Sequence, residues 1–196
     1  PKVVFIGTGG TMSSLGKDSL DILDYSANDS RLHASQIVER IPELKNIAEL
    51  ITVNYNNIIS SQVYFPEWQD LVMQCHQLAN DIPDLAGIVI GHGTSSLEET
   101  AWFLNLTLKI DLPVILTGSQ RPINALSSDV GMNLVNAVRV AISPVAHGCG
   151  VMVLLNDELH AAREVTKTST TRLQTFQSPV TGPLGHVDGG NVNIYR

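Results

Sequence analysis

The chain has 196 residues, and 12 Lys and Arg against 19 Asp and Glu give a formal net charge of −7. That acidic balance argues against nucleic acid or an anionic membrane surface as a partner. With 43% hydrophobic and 16% charged residues, against roughly 25% charged in an average domain, the composition excludes global disorder, and the length suits one domain.

In chain order, residues 3–6 (Val3-Val4-Phe5-Ile6) form a β-rich apolar run that reads as a buried strand rather than a basic, cleavable leader. A leader already removed would leave no trace, so the expected compartment is the cytoplasm with export left open. Residues 12–30 lack a sustained period of either kind and read as a long loop after the first strand, of the length that serves as a lid or binding loop. A helix is expected over 34–40 and a fainter strand over 50–53, ended by Asn54-Tyr55-Asn56-Asn57 because asparagine is depleted in strands. In the helix expected over 66–79, Trp68, Leu71, Val72, Cys75 and Leu78 share one face, and Trp68 and Cys75 read as core. Strands over 88–90, 114–116 and 151–155 then alternate with helices over 97–108 and 131–142. From Ser178 onward, proline and glycine suggest an extended exit. Two cysteines, Cys75 and Cys149, cannot make a disulfide framework. No stretch approaches the roughly 20 apolar residues of a membrane span. The alternation predicts an α/β fold with a mainly parallel sheet flanked by helices on both faces.

In such a sheet, ligands sit beyond the carboxyl ends of the strands. Those ends collect hydroxyls and glycines: Gly7-Thr8-Gly9-Gly10-Thr11, Ser60-Ser61-Gln62, Gly91-His92-Gly93-Thr94-Ser95-Ser96, Thr117-Gly118-Ser119-Gln120 and Asn156-Asp157. A later segment brings Thr166-Lys167-Thr168. The combination suggests nucleophilic acyl chemistry. A threonine hydroxyl attacks a carbonyl when a base takes its proton and backbone N–H groups stabilise the oxyanion. Lysine can be that base when burial lowers its pKa, so Lys167 matters if it is buried near Thr94 or Thr11.

Rival motifs fail on specific residues. The dinucleotide fingerprint begins at Gly7 and Gly9 but has Met12 at its third glycine position, and Gly16-Lys17-Asp18 lacks the hydroxyl a phosphate loop needs. Ser119 is followed by Gln120, not by the glycine arrangement of a nucleophile elbow. His92 and His160 lack zinc-site spacing, and His92 reads as a structural group. Plain readings also exist for the favoured residues. Threonine after Gly-Gly serves in turns and caps, Lys167 among hydroxyls suits a solvated loop, and Glu98-Glu99 in a first helical turn suits the helix dipole.

Taken together and in order, Thr8-Gly9-Gly10-Thr11, Gly91-His92-Gly93-Thr94, Leu97-Glu98-Glu99-Thr100-Ala101, Arg163-Glu164-Val165-Thr166-Lys167-Thr168 and the segment from Phe176 to Gly185 resemble the bacterial-type L-asparaginase/glutaminase family. The resemblance implies a flavodoxin-like or Rossmann-like amino-terminal catalytic domain over residues 1–196, without the family's smaller carboxy-terminal domain. It implies a threonine amidohydrolase that releases ammonia from a side-chain amide through an acyl-enzyme, using no metal or organic cofactor. Thr11 matches the first catalytic threonine and Tyr25 its tyrosine partner. Thr94 and Lys167 match the second hydroxyl and its lysine. Ser60 matches the position that holds the substrate carboxylate, and Gly10, Ser61, Gly93 and Ser95 complete the expected substrate contacts. The expected partners are a small-molecule amide and further copies of the chain in a dimer or tetramer, with no nucleic acid and no membrane.

One residue departs from the pattern. Where the family has His-Gly-Thr-Asp-Thr, this chain has His92-Gly93-Thr94-Ser95-Ser96. The family's aspartate binds the α-ammonium group of its substrate, and a neutral hydroxyl cannot replace it as an ion partner. One further reading follows, a hydrolase of an amide or cyclic imide lacking an α-ammonium group; the expected lack of the family's smaller carboxy-terminal domain adds another, a non-catalytic domain that binds a small ligand.

Overall fold

The computed structural model describes residues 1–25 and 31–196. Its β-branched runs form the centre of an eight-stranded sheet. Strands β1 (Lys2–Gly9), β2 (Glu49–Ile58), β3 (Leu85–Gly91), β4 (Val114–Thr117) and β5 (Val151–Leu155) lie in the order β2-β1-β3-β4-β5, all parallel. Helices α1 (Ala34–Glu39), α2 (Phe65–Asp81), α3 (Leu97–Thr107) and α4 (Val130–Ala141) make the crossovers that parallel pairing requires. The central strands β1, β3, β4 and β5 are largely apolar on both sides because both faces are covered. Val3 and Phe5 of β1 pack with α1 and α4, whereas Val4 and Ile6 face α2 and α3.

Beyond β5 the sheet turns antiparallel, through β6 (Glu158–Ala161), β9 (Gly185–Asp188) and β10 (Asn191–Ile194). The carboxy-terminal segment is therefore not the extended exit expected above: its glycines turn the hairpin in which Asp188 pairs with Asn191. Asn156 and Asp157, inspected above as a strand end, are the tip of the β5–β6 hairpin. Both have positive φ, 53° and 65°, as a two-residue turn of the I′ type demands. A separate two-stranded ladder pairs β7 (Thr166–Lys167) with β8 (Phe176–Gln177).

Strand β2 also continues through the asparagines expected to end it. It lies at the sheet edge, where Asn54 and Asn56 point to water while Tyr55 between them is buried. The segment after β1 holds a short 3₁₀ turn (Thr11–Ser13), and Gly16 exchanges two hydrogen bonds with the Asn124 side chain at 2.9 and 2.8 Å. Part of the expected lid, residues 26–30, lies outside the described residues. Trp68, expected in the core, is half-buried: it stacks on Phe103 with ring centroids 5.2 Å apart, whereas Cys75 is fully buried. Among the described residues, no helix is long and apolar enough to cross a membrane.

The loops at the carboxyl edge are tied together by Asn133 of α4, which is 2% exposed. Its Nδ2 donates to Gly118 O at 3.0 Å and its Oδ1 accepts the Asn156 N–H at 2.9 Å. Truncating it leaves the buried Gly118 carbonyl without its donor and the Asn156 N–H without its acceptor. Asn133→Ala is expected to cost about 2–3 kcal/mol, measured as a lowered urea midpoint with an unchanged slope.

Candidate active site

Strands β1 and β3 are neighbours, so the residues that follow them meet. Gly10 has φ +79°, a left-handed conformation that glycine adopts freely. A Cβ there would overlap Gly93 Cα, and a Cβ on Gly93 would lie 2.7 Å from Ser60 Oγ. Two of the expected substrate contacts, Gly10 and Gly93, are thus packed backbone to backbone, and the side chain of a third, Ser60, lies against Gly93. Their successors Thr11 and Thr94 are set on either side of that contact.

Thr11 Oγ1 and Tyr25 Oη lie 2.8 Å apart in a hydrogen bond. Ser60 is buried at the base of this group: its Oγ accepts the Ser95 N–H at 3.1 Å, and its carbonyl accepts Ser96 Oγ–H at 2.6 Å. Ser61 is exposed at the rim, as is Ser95.

Thr94 Oγ1 accepts a hydrogen bond from Lys167 Nζ at 2.7 Å and donates to Gln120 Oε1 at 3.2 Å. The condition set above for Lys167 is met, since the amine is half-buried against Thr94. Burial lowers its pKa below the ordinary lysine value, and the nearby Glu98 carboxylate opposes that shift. Gln120 is itself held in place. Its N–H and that of Arg121 donate to the Asp129 carboxylate at 2.9 and 3.0 Å, and its Nε2 donates to Arg172 O at 3.1 Å. Burial raises the Asp129 pKa, and the two N–H donors pull it back.

His92 is structural, as its sequence context suggested. It is fully buried, with Nδ1 2.7 Å from Gly93 O and Nε2 3.0 Å from Thr100 Oγ1. Desolvation pushes its pKa down to about 4, so the ring is neutral at pH 7 and carries one proton. A carbonyl can only accept, which assigns that proton to Nδ1. The Thr100 hydroxyl then donates to Nε2 and accepts from Trp68 Nε1 at 2.8 Å. A chain of hydrogen bonds therefore runs from α2 through α3 to the carbonyl beside Thr94.

Gln120 and Glu98 were not selected by sequence reasoning. Gln120 could have been found, because it follows a strand at the same edge as Thr11 and Thr94. Glu98 had only its place in the first turn of α3 to mark it.

With this geometry in view, comparison with known proteins is informative. Residues 2–196 match the family model described as asparaginase, N-terminal. The chain belongs to the asparaginase family. It is 39% identical over 196 residues to a probable periplasmic L-asparaginase of Haemophilus influenzae, covering 100% of this chain and 54% of the relative. It is 40% identical to L-asparaginase 2 of Bacillus subtilis over 95% of this chain and 49% of the relative. A glutaminase-asparaginase of Pseudomonas fluorescens biotype A is also 40% identical, over 99% and 52%. Among solved structures, a probable cytoplasmic L-asparaginase from Campylobacter jejuni superposes with a TM-score of 0.92 at 34% identity, covering 100% of this chain and 58% of that one. The chain spans about half the length of the curated relatives it matches.

The buried histidines govern acid stability. His92 and His160 both have pKa values pushed down to about 4, by burial first and, for His160, also by the neighbouring His186. The unfolded chain binds protons at these residues near pH 6.5, whereas the folded chain does not until about pH 4. Their contribution is thus fully present above the unfolded value and is lost as pH falls between the two. For His92 the loss is of order 3 kcal/mol by pH 4, read as a falling urea midpoint from pH 7 to pH 4. A midpoint that stays flat over that range contradicts the assignment.

Proposed function

We propose that the chain is the amino-terminal catalytic domain of an asparaginase-type amidohydrolase that converts L-asparagine to L-aspartate and ammonia through a threonine acyl-enzyme. The observation that carries this reading is the 2.7 Å contact between Lys167 Nζ and Thr94 Oγ1, set beside the Gly10–Gly93 junction and the Thr11–Tyr25 hydrogen bond. The names of the relatives support the same chemistry.

In this reading Thr11 Oγ1 attacks the amide carbon. Its proton passes to Tyr25 Oη as the phenol hands its own proton to the departing nitrogen, so ammonia leaves and an ester remains on Thr11. Water then attacks the ester. One of its protons moves through the Thr94 hydroxyl to the unprotonated amine of Lys167, the Thr11 oxygen leaves and takes up the other as the carboxylate product forms, and Lys167 then gives its proton to solvent. Lys167 acts only without its proton, which is why its lowered pKa matters. The steps draw on these side chains alone.

Ser95 favours a second substrate class. It occupies the position where the family resemblance implies a carboxylate, and the two carboxylates placed around Thr94 are engaged elsewhere: Glu98 with β7, Asp129 with the turn after β4. An amide or imide without an α-ammonium group needs no such partner.

Ammonia release from asparagine, glutamine and amides or imides lacking an α-ammonium group tests both readings. Thr11→Ala is expected to lower turnover about 10³-fold or more. Activity confined to substrates without an ammonium group, with asparagine turnover gained in Ser95→Asp, selects the second class. Binding of a small amide without turnover selects the non-catalytic reading.

The proposal includes a homo-oligomer, dimer or tetramer, supported by the exposed apolar side chains Tyr64, Phe65 and Met73 of α2 and its approach, and Trp102 and Leu106 of α3. A monomer in sedimentation at micromolar concentration contradicts it. The cytoplasm remains the proposed compartment; relatives carry both periplasmic and cytoplasmic descriptions, and fractionation of the source cells decides between them.

A further inference from the structure

Lys167 reaches the site from outside the main sheet. It lies on β7, a strand of two residues whose ladder partner among the described residues is the equally short β8, with Thr166 opposite Gln177 and Lys167 opposite Phe176. A ladder that short constrains an amine weakly. The second tether comes from α3: Glu98 Oε1 accepts the Thr166 hydroxyl at 3.1 Å, and Glu98 Oε2 accepts the Lys167 backbone N–H. Both oxygens of one carboxylate are spent on the two residues of β7. The same helix begins just after Thr94, so one rigid segment fixes the lysine and the hydroxyl it touches.

We propose that Glu98 is the positioning residue of the Lys167–Thr94 pair, its carboxylate clamping β7 to the first turn of α3. This inference rests on the role given to Lys167 above. The acidic residue of a helix's first turn is ordinarily explained by the helix dipole, and Glu99 beside it, exposed, fits that explanation. Glu98 differs by its two contacts with residues 68 and 69 positions away.

The charge has a consequence of its own. Burial lowers the lysine pKa and Glu98 raises it. Thr94 and Gln120, which face the amine's surroundings from the β3 and β4 ends, are uncharged. Among the described residues, Glu98 is the charged side chain that acts on Lys167. Together with burial, the larger influence, it decides how alkaline the solution must be before the amine can accept a proton.

Glu98→Gln separates the two roles. Its amide oxygen can accept the Lys167 N–H and its amino group can donate to the Thr166 hydroxyl, so the clamp persists while the charge goes. Glu98→Ala removes both, and Glu99→Gln removes a charge from the same helical turn without touching β7. Lys167 is labelled with limiting acetic anhydride over a range of pH, quantified by peptide mass spectrometry, alongside hydrogen exchange at the Lys167 amide and the pH profile of ammonia release.

In Glu98→Gln the labelling rate of Lys167 below its midpoint is expected to rise about threefold or more, and the acid limb of turnover to move to lower pH. In Glu98→Ala, amide exchange at Lys167 is expected to rise about tenfold or more and kcat to fall at every pH by a similar factor, with KM changed less. Glu99→Gln leaves all three readouts at wild-type values. The proposal is overturned when Glu98→Gln leaves labelling unchanged, or when Glu99→Gln reproduces its effect. Labelling and exchange need no turnover. A wild-type chain that releases no ammonia, yet shows raised Lys167 amide exchange in Glu98→Ala and the labelling shift in Glu98→Gln, therefore supports both the clamp and the charge effect and removes the amidohydrolase reading.

Discussion

The contact between the backbones of Gly10 and Gly93 is the constraint around which the site is built. Two neighbouring parallel strands bring their carboxyl ends together, and any side chain at either residue would force them apart. Because a strand's end fixes the residue that follows, closeness of the glycines becomes closeness of Thr11 and Thr94. Ser60 fills the remaining space beneath them and is fastened by Ser95 and Ser96. Reactive groups from chain segments more than 80 residues apart are thus placed by main-chain packing, which is stiffer than any arrangement of long side chains.

Lysine is the exception, being long and flexible, and the structure compensates for this. Its backbone is caught by Glu98, its ammonium rests on Thr94, and Thr94 is turned by Gln120, which Asp129 steadies in turn. Burial and the Glu98 charge act on the amine in opposite senses. A group that must both bind and release a proton is better served by opposed influences than by burial alone, which would only discourage the charged form.

How legible this was in the sequence differs by element. The four inner parallel strands, β1, β3, β4 and β5, were readable because both faces are covered and their residues are apolar almost without interruption. The antiparallel wing was not: β6, β9 and β10 have four residues each, and the glycines of the last hairpin read as a loop. Strand β2 was cut short because Asn54 and Asn56 look like breakers, yet on an edge strand they face water around a buried Tyr55. In the site, Thr11, Thr94 and Lys167 were visible as residue types at strand ends. Glu98 was not, since its partners are distant in sequence and its local context already had an adequate explanation. Trp68 illustrates the same limit: its helical spacing announced an apolar face, and nothing announced that its indole N–H would be claimed by Thr100.

That last bond has an optical consequence. The indole of Trp68 is three hydrogen bonds from the carbonyl of Gly93, through Thr100 and His92. A ligand that displaces the Gly93 peptide acts on the chain of hydrogen bonds that ends at that ring, whereas Trp102, 41% exposed on α3, has no such link to Gly93 in this chain of bonds. The domain therefore carries one indole joined by hydrogen bonds to the floor of its own cleft, and its emission is the intrinsic signal expected to change when the cleft is occupied.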